Sequence, residues 1–170
     1  GPGTVPDDLR ETVVEPQFAD LAAMANTDGE YAVTTVFEAL QELMWEHAGL
    51  LREEGQLDAG LDELDAVRQQ ASDMTTGSLT SESFEFAVDI GFMLTAAEAV
   101  LRGAKQRAES RGAHYRIDSP DTDDTWQRNI YYRQADLGGM TTHTQSVETP
   151  SAAVQAALDE GYELDYHQLE

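Results

Sequence analysis

Between Glu30 and Leu51, apolar residues return at steps of three and four. Val33, Val36, Phe37, Leu40, Leu43, Met44, His47, Leu50 and Leu51 line one face of a long helix. Gly55 interrupts this series. A second one follows through Leu57, Leu61, Leu64, Val67, Ala71 and Met74, until Thr75-Thr76-Gly77-Ser78 breaks it. Ser81 or Ser83 caps a third helix, whose buried stripe is Phe86, Ile90, Met93, Leu94, Ala97, Leu101 and Ala104. Small residues on this helix (Gly91, Ala96, Ala97, Ala99, Gly103, Ala104) permit close helix–helix approach. Gly112 stands where a helix-ending glycine belongs, behind Arg107 and Arg111, whose charges suit the negative end of the helix dipole. Three helices with short connections predict an antiparallel bundle of the spectrin-repeat kind.

After Pro120 the period changes to two. Trp126–Arg133 and Met140–Glu148 are rich in Thr, Tyr, Val and Ile, and Asp136-Leu137-Gly138-Gly139 between them predicts a β-hairpin. Tyr131 and Tyr132 must point to opposite faces, so at most one of them packs on the bundle. Ser151 caps a short helix through Leu158 that Gly161 ends, and Tyr162–Glu170 reads as an extended or frayed tail. Residues 1–28, with Pro2, Pro6 and Pro16, read as a tether with one or two short helical turns, docked rather than free; Asp7 and Asp8 start the first turn. The fold class is therefore mainly α: an antiparallel three-helix bundle, then a small β-hairpin and a short C-terminal helix. The divisions are a tether over 1–28, the bundle over 29–111 and a hairpin-containing extension over 112–170.

Composition narrows the chemistry. The chain has 170 residues and 41% hydrophobic content, enough for one domain with an appendage. No apolar run approaches the roughly 18 residues that span a bilayer. Gly1-Pro2-Gly3-Thr4 is neither basic nor followed by an apolar stretch, so it does not read as a secretion signal. The chain also lacks an initiator Met, and Gly1-Pro2 reads as a protease scar or as native sequence beginning mid-chain. Without cysteine there is no disulfide, thiolate nucleophile or Cys-ligated cluster within these residues. Asp and Glu number 33 against 10 Lys and Arg, a formal net charge of −23, which disfavours nucleic acid and anionic membranes as partners. Acid dispersed from Asp7 to Glu170, with Lys105 the single lysine, resembles the surface of a protein from a salt-accumulating halophile.

Candidate catalytic groups are sparse. His47, His114, His143 and His167 lie too far apart in sequence for a ligand pair, and His47 sits on an apolar stripe as a satisfied, semi-core histidine. The acids from Glu53 to Asp65 lack the alternating spacing and glycine of a calcium loop and read as a solvated face. Ser110 lies near His114 but not in a Gly-x-Ser-x-Gly elbow, so it does not read as a nucleophile. Gly1-Pro2-Gly3 has no strand ahead of it and does not read as a phosphate-cradling loop. No catalytic, cofactor-binding or metal-ligating residue is assigned. Glu109, Arg111, His114 and Arg116 are read as motif residues at a helix end: Arg111 pairs with a carboxylate, His114 donates to a carbonyl, and Glu109 and Arg116 join local ion pairs.

That helix end carries a resemblance. Glu109-Ser110-Arg111-Gly112-Ala113-His114-Tyr115-Arg116, followed by Asp118, Pro120 and Asp123-Asp124, resembles the signature of the C-terminal domain of succinate dehydrogenase and fumarate reductase flavoprotein subunits. The likeness runs roughly from Thr34 to Val147. It takes in Met44, Leu51-Arg52-Glu53-Glu54-Gly55, Ala96-Ala97-Glu98-Ala99 and the Trp126-led hairpin. Aspartate oxidases resemble the same stretch but usually carry Leu where Ala113 stands, so Ala113 favours the dicarboxylate dehydrogenase branch. Thr122 replaces a basic residue frequent in the family, and the step from Asp124 to Trp126 is one residue short.

The resemblance implies a parent that oxidises succinate to fumarate, holds FAD in a preceding flavin-binding domain and passes electrons to an iron–sulfur subunit. It places that parent in the cytoplasm, peripheral to the inner face of the membrane through partner subunits. The FAD and dicarboxylate groups of the family belong to preceding segments, so this fragment has a structural, interdomain role and no cofactor of its own. Aspartate oxidase and a free-standing acidic protein-interaction module are the alternatives.

Overall fold

The computed structural model describes residues 8–135 and 139–161. The expectations for Asp7, for a turn at Asp136, Leu137 and Gly138, and for a tail at Tyr162–Glu170 fall outside the described residues. A π-helical turn, Arg10–Val14, leads into helix α1 (Glu15–Ala23), with the Asp8 carbonyl accepting from the Thr12 N–H at 2.9 Å. The bundle is α2 (Val33–Ala48), α3 (Glu54–Ser72) and α4 (Glu82–Gln106). Two-residue strands β1 (Tyr31–Ala32) and β2 (Met74–Thr75) pair in parallel, tying the chain that enters α2 to the chain that leaves α3. The hairpin is β3 (Arg128–Gln134) and β4 (Met140–Ser146), and α5 (Ala152–Asp159) follows.

The core is the meeting of three stripes. Val36, Leu57, Leu64, Ile90 and Leu101 are solvent-inaccessible, and Leu40, Leu43, Val67, Leu94 and Ala97 close around them. Each large member contributes about 1.5–3 kcal/mol through burial. Phe37 and Phe86 meet at 5.2 Å on the rim. Ser81, rather than Ser83, caps α4 by accepting from the Phe84 N–H at 3.1 Å. Gly60 brings α3 against its neighbours so tightly that a Cβ there would strike His47 and Leu101.

Several expectations need correction. Helix α2 stops at Ala48, so Leu50 and Leu51 leave the stripe and stand 82% and 63% exposed. The cause is backbone pairing of Arg52, whose N–H and C=O bond to Tyr115 O and Ile117 N at 3.1 and 2.9 Å. Met93 faces outward; the buried stripe of α4 begins at Phe84 and Ala87. Gly91 and Ala96 face solvent, whereas Ala97, Gly103 and Ala104 are buried and are where small residues let α4 be approached closely. Helix α4 ends at Gln106, not at Gly112. Helix α1 buries none of its residues, with Phe18 61% exposed, and the tether is held just past it, where Thr76 Oγ1 donates to Met24 O and accepts from the Asn26 N–H, both at 2.8 Å. His47 is buried, but neither ring nitrogen has an aligned hydrogen-bond partner, although Glu63 Oε2 lies 3.2 Å from Nε2.

The hairpin lies on α4. Ile130, Met140, Thr142 and Thr144 are half-buried while their sequence neighbours are exposed, which marks the inner face. Tyr132 shares that face and occupies the space above Gly103, whereas Tyr131 turns outward and stacks on His143 at 5.1 Å. Ser151 caps α5, which buries no residue. The fold is thus mainly helical: the bundle, a small antiparallel hairpin and a short C-terminal helix. Among the described residues no helix is long and apolar enough to cross a membrane.

Candidate functional site

Where α4 ends, its last carbonyls need donors, and the sequence that follows supplies them. Arg116 is 1% exposed and donates through Nη1 to the carbonyls of Ala104 and Lys105, both at 3.1 Å. Its other edge forms a two-pronged pair with Asp118, at 2.7 and 2.6 Å. Asp118 also accepts from the Glu54 N–H at 2.9 Å, where the N-cap residue Glu53 offers no side-chain bond. One arginine–aspartate pair therefore closes the C-terminus of α4 and the N-terminus of α3, each with the charge its dipole favours. The Arg116 guanidinium, ahead of the Glu54 N–H, holds the Asp118 carboxyl well below the usual carboxylate range.

Glu109 is the second centre. Its carboxylate is solvent-inaccessible and accepts from Arg111 Nε and Nη2 (3.0 Å each), Arg107 Nη1 (2.5 Å) and the Asp123 N–H (2.8 Å). The Arg111 hydrogen bonds first, then the Asp123 and Arg107 bonds, outweigh burial and lower its pKa to about 2. Arg107 continues to the carbonyls of Trp126 and Arg128, at 2.9 and 2.6 Å, with its guanidinium 5.2 Å from the Trp126 ring centroid. Glu109 thus gathers the helix end, the following turn and the start of the hairpin.

Arg111 and His114 are joined by two reciprocal backbone bonds, 2.8 and 3.0 Å, around Gly112, whose φ of +59° a side chain would strain. Gly112 is a turn glycine rather than the end of α4. Ser110 Oγ accepts from the Arg116 N–H at 2.9 Å and donates to Ser119 O at 2.9 Å, which commits it to the loop. The His114 ring bridges Arg107 O at Nε2 and Arg52 Nη1 at Nδ1, both 3.0 Å. Arginine can only donate, so Nδ1 carries the lone pair and Nε2 the proton. Burial, ahead of the nearby arginine charges, lowers the His114 pKa, and the ring is neutral.

The structure gathers Glu109, Arg111, His114 and Arg116 into one clasp from Arg107 to Asp124. It adds Arg52, Arg107 and Asp118, whose roles periodicity does not reveal; a donor-starved helix end followed by alternating Arg and Asp is the available signal. A further polar cluster had only the i,i+4 spacing of Glu98 and Arg102 as its signal in the sequence. Glu98, buried on α4, is held by Arg102 at 2.6 Å and by Arg68 of α3. Burial alone would raise its pKa, but the bonds from Arg102 and Arg68 lower it.

Glu109, Arg111, Arg116 and Asp118 are spent on internal bonds, and among the described residues the one serine of the clasp turn, Ser110, is committed to the loop. Among the described residues no group of three or more His, Asp or Glu side chains is placed to hold a metal. These residues also do not fit a dinucleotide cofactor. The described strands are two two-residue segments and a hairpin, and none leads through a glycine loop into a helix.

Comparison with known proteins follows the same outline. A fumarate reductase (CoM/CoB) polypeptide of Methanothermobacter marburgensis is 32% identical over 106 residues, 61% of this chain and 19% of that protein. An L-aspartate oxidase of Pyrococcus furiosus is 32% identical over 96 residues, 56% of this chain and 16% of its own length. This chain therefore spans less than a fifth of these curated relatives. Among solved structures, the Mycobacterium smegmatis Sdh1 complex in the apo form has the same fold, with a TM-score of 0.77 at 24% identity, over 98% of this chain and 31% of that one. Residues 37–159, which take in the bundle from the second turn of α2 onward together with the clasp and the hairpin, match the family described as fumarate reductase flavoprotein C-term, and the chain belongs to that family.

Proposed function

We propose that this chain is the C-terminal helical domain of a succinate dehydrogenase flavoprotein subunit from a halophilic archaeon. In this reading the parent subunit oxidises succinate to fumarate, hands electrons to FAD and then to an iron–sulfur subunit, and works in the cytoplasm at the inner face of the membrane. This domain braces the flavin-binding domain, and Glu109, Arg111, His114 and Arg116 hold the segment that faces it. The divisions follow: 1–28 as the tether from the flavin domain, 29–111 as the bundle and 112–170 as the extension. The observation that carries the reading is the family match over residues 37–159.

Surface composition supports a role as a brace. Arg52 and Arg116 form a parallel bridge, so their flanking residues Leu51, Tyr115 and Ile117 turn to the opposite side. They stand 63%, 42% and 49% exposed. Leu50 and Trp45, at the same end of α2, are 82% and 80% exposed. Such a strip fits a surface that is covered by other polypeptide.

The second reading, L-aspartate oxidase, has its support in the aspartate oxidase relatives. Ala113 weighs against it. Reading the coding sequence ahead of Gly1, together with the genes beside it, separates the two. The first reading predicts a glycine-rich dinucleotide-binding segment far upstream and an adjacent gene for an iron–sulfur protein. The same segment without that gene selects the oxidase, and a start codon next to residue 1 contradicts both.

A further inference from the structure

A cleft of about 330 Å³ opens between the end of α4, the inner face of β3 and the Arg52–His114 pair. None of the nine residues that line it is acidic, in a chain with 33 Asp and Glu. Two of the ten cationic residues, Arg52 and Arg107, are there with His114. The clasp uses most of Arg107 internally. Arg52 is different: its Nε donates to Ala48 O and Gly49 O, one Nη1 N–H reaches His114, and no carboxylate bonds to it among the described residues. An arginine has five N–H donors, so part of its fork is left over. Because His114 is neutral, the Arg52–His114 pair carries a single positive charge to which no carboxylate is bonded among the described residues.

Across the cleft stands Tyr132. Its hydroxyl sits where Gly103 leaves room, and burial pushes the phenol pKa up, so it remains a proton donor. Val100 and Ile130 supply apolar surface beside the two donors. A guanidinium edge on one wall and a neutral O–H donor on the other are suited to a planar, singly charged acceptor.

We propose that this cleft binds one carboxylate group, supplied by a small free acid or by an acidic side chain of a neighbouring polypeptide. Amide and imidazole NMR shifts of the 170-residue chain test it, with sodium acetate and a blocked Gly-Glu-Gly peptide as probes. Sodium chloride at matched ionic strength is the blank and inorganic phosphate the counter-probe. The expected result is a saturable shift at Arg52, His114 and Tyr132 with acetate, the peptide or both; acetate alone assigns a free acid, and binding of the peptide assigns a polypeptide side chain. Tyr132→Phe, which keeps the ring on the hairpin's inner face and removes only the hydroxyl, weakens binding about tenfold, as loss of a hydrogen bond to a charged group does. Shifts no larger than those in chloride, tighter binding of phosphate than of acetate, or unchanged affinity in Tyr132→Phe would each overturn the assignment.

Discussion

Glu109 shows how one side chain sets local stability. It accepts from two arginines and a backbone N–H while shielded from solvent, so removing its charge strands Arg107 and Arg111 together. Breaking a buried pair from one side costs about 3–5 kcal/mol, and Gln keeps part of the hydrogen bonding, so Glu109→Gln should cost about 3 kcal/mol in denaturant unfolding at pH 7. The pH dependence has a defined sign. Glu109, Asp118, Glu98 and His114 all have folded pKa values below their ordinary ones, so the unfolded chain binds protons first. Their stabilisation is complete above the ordinary histidine pKa of 6.5. It falls first as His114 protonates below that value, and then between 4.5 and about 2 as Glu109 titrates. Glu109→Gln should flatten the lower limb and leave the upper one. An unchanged slope between pH 4.5 and 2 would show that Glu109 does not drive it.

At the scale of elements, the hairpin depends on one missing side chain. Tyr132 fills the space above Gly103, and a Cβ there would collide with its hydroxyl. Gly103→Ala should therefore cost about 1–3 kcal/mol by overpacking. In a Tyr132→Ala background the clash is gone and the same change should stabilise by up to about 1 kcal/mol, as Ala does over Gly within a helix. Equal costs in both backgrounds would place the hairpin elsewhere. The three helices and the hairpin were legible because their periods are local: 3.6 from Val33 to Leu101, then two from Ile130 to Thr144. Helix ends were less legible. Leu50 and Leu51 continue the apolar rhythm, yet Arg52 is drawn into pairing with the distant Arg116, and α2 stops early. Gly112 looked like a helix terminator because a positive-φ glycine serves a turn equally well. Glu98 was half legible: Arg102 lies four residues on in the same helix, but Arg68 lies on another one. The motif residues drew notice through family likeness, not through any spacing that revealed their bonds.

At the scale of the whole molecule, charge and exposed apolar surface pull in opposite directions. A net charge of −23 disfavours the compact state by self-repulsion. Molar KCl shortens the screening length to about 3 Å and relieves most of that cost. The halophilic reading therefore predicts a melting midpoint that climbs steadily from dilute buffer to molar KCl; a midpoint indifferent to salt would remove it. Among the described residues nothing covers the strip at Leu50, Leu51, Tyr115 and Ile117, and helix α1 buries none of its residues. Both suit a domain that is one part of a larger protein, as does a span below a fifth of its curated relatives. The central claim is that these residues build a brace while electron transfer belongs to other polypeptide. Its most direct test is to incubate the purified 170-residue chain with FAD, desalt it, record the visible spectrum and follow dye reduction on adding succinate. A colourless protein that reduces no dye is the predicted result, whereas a retained flavin spectrum bleached by succinate would contradict the account.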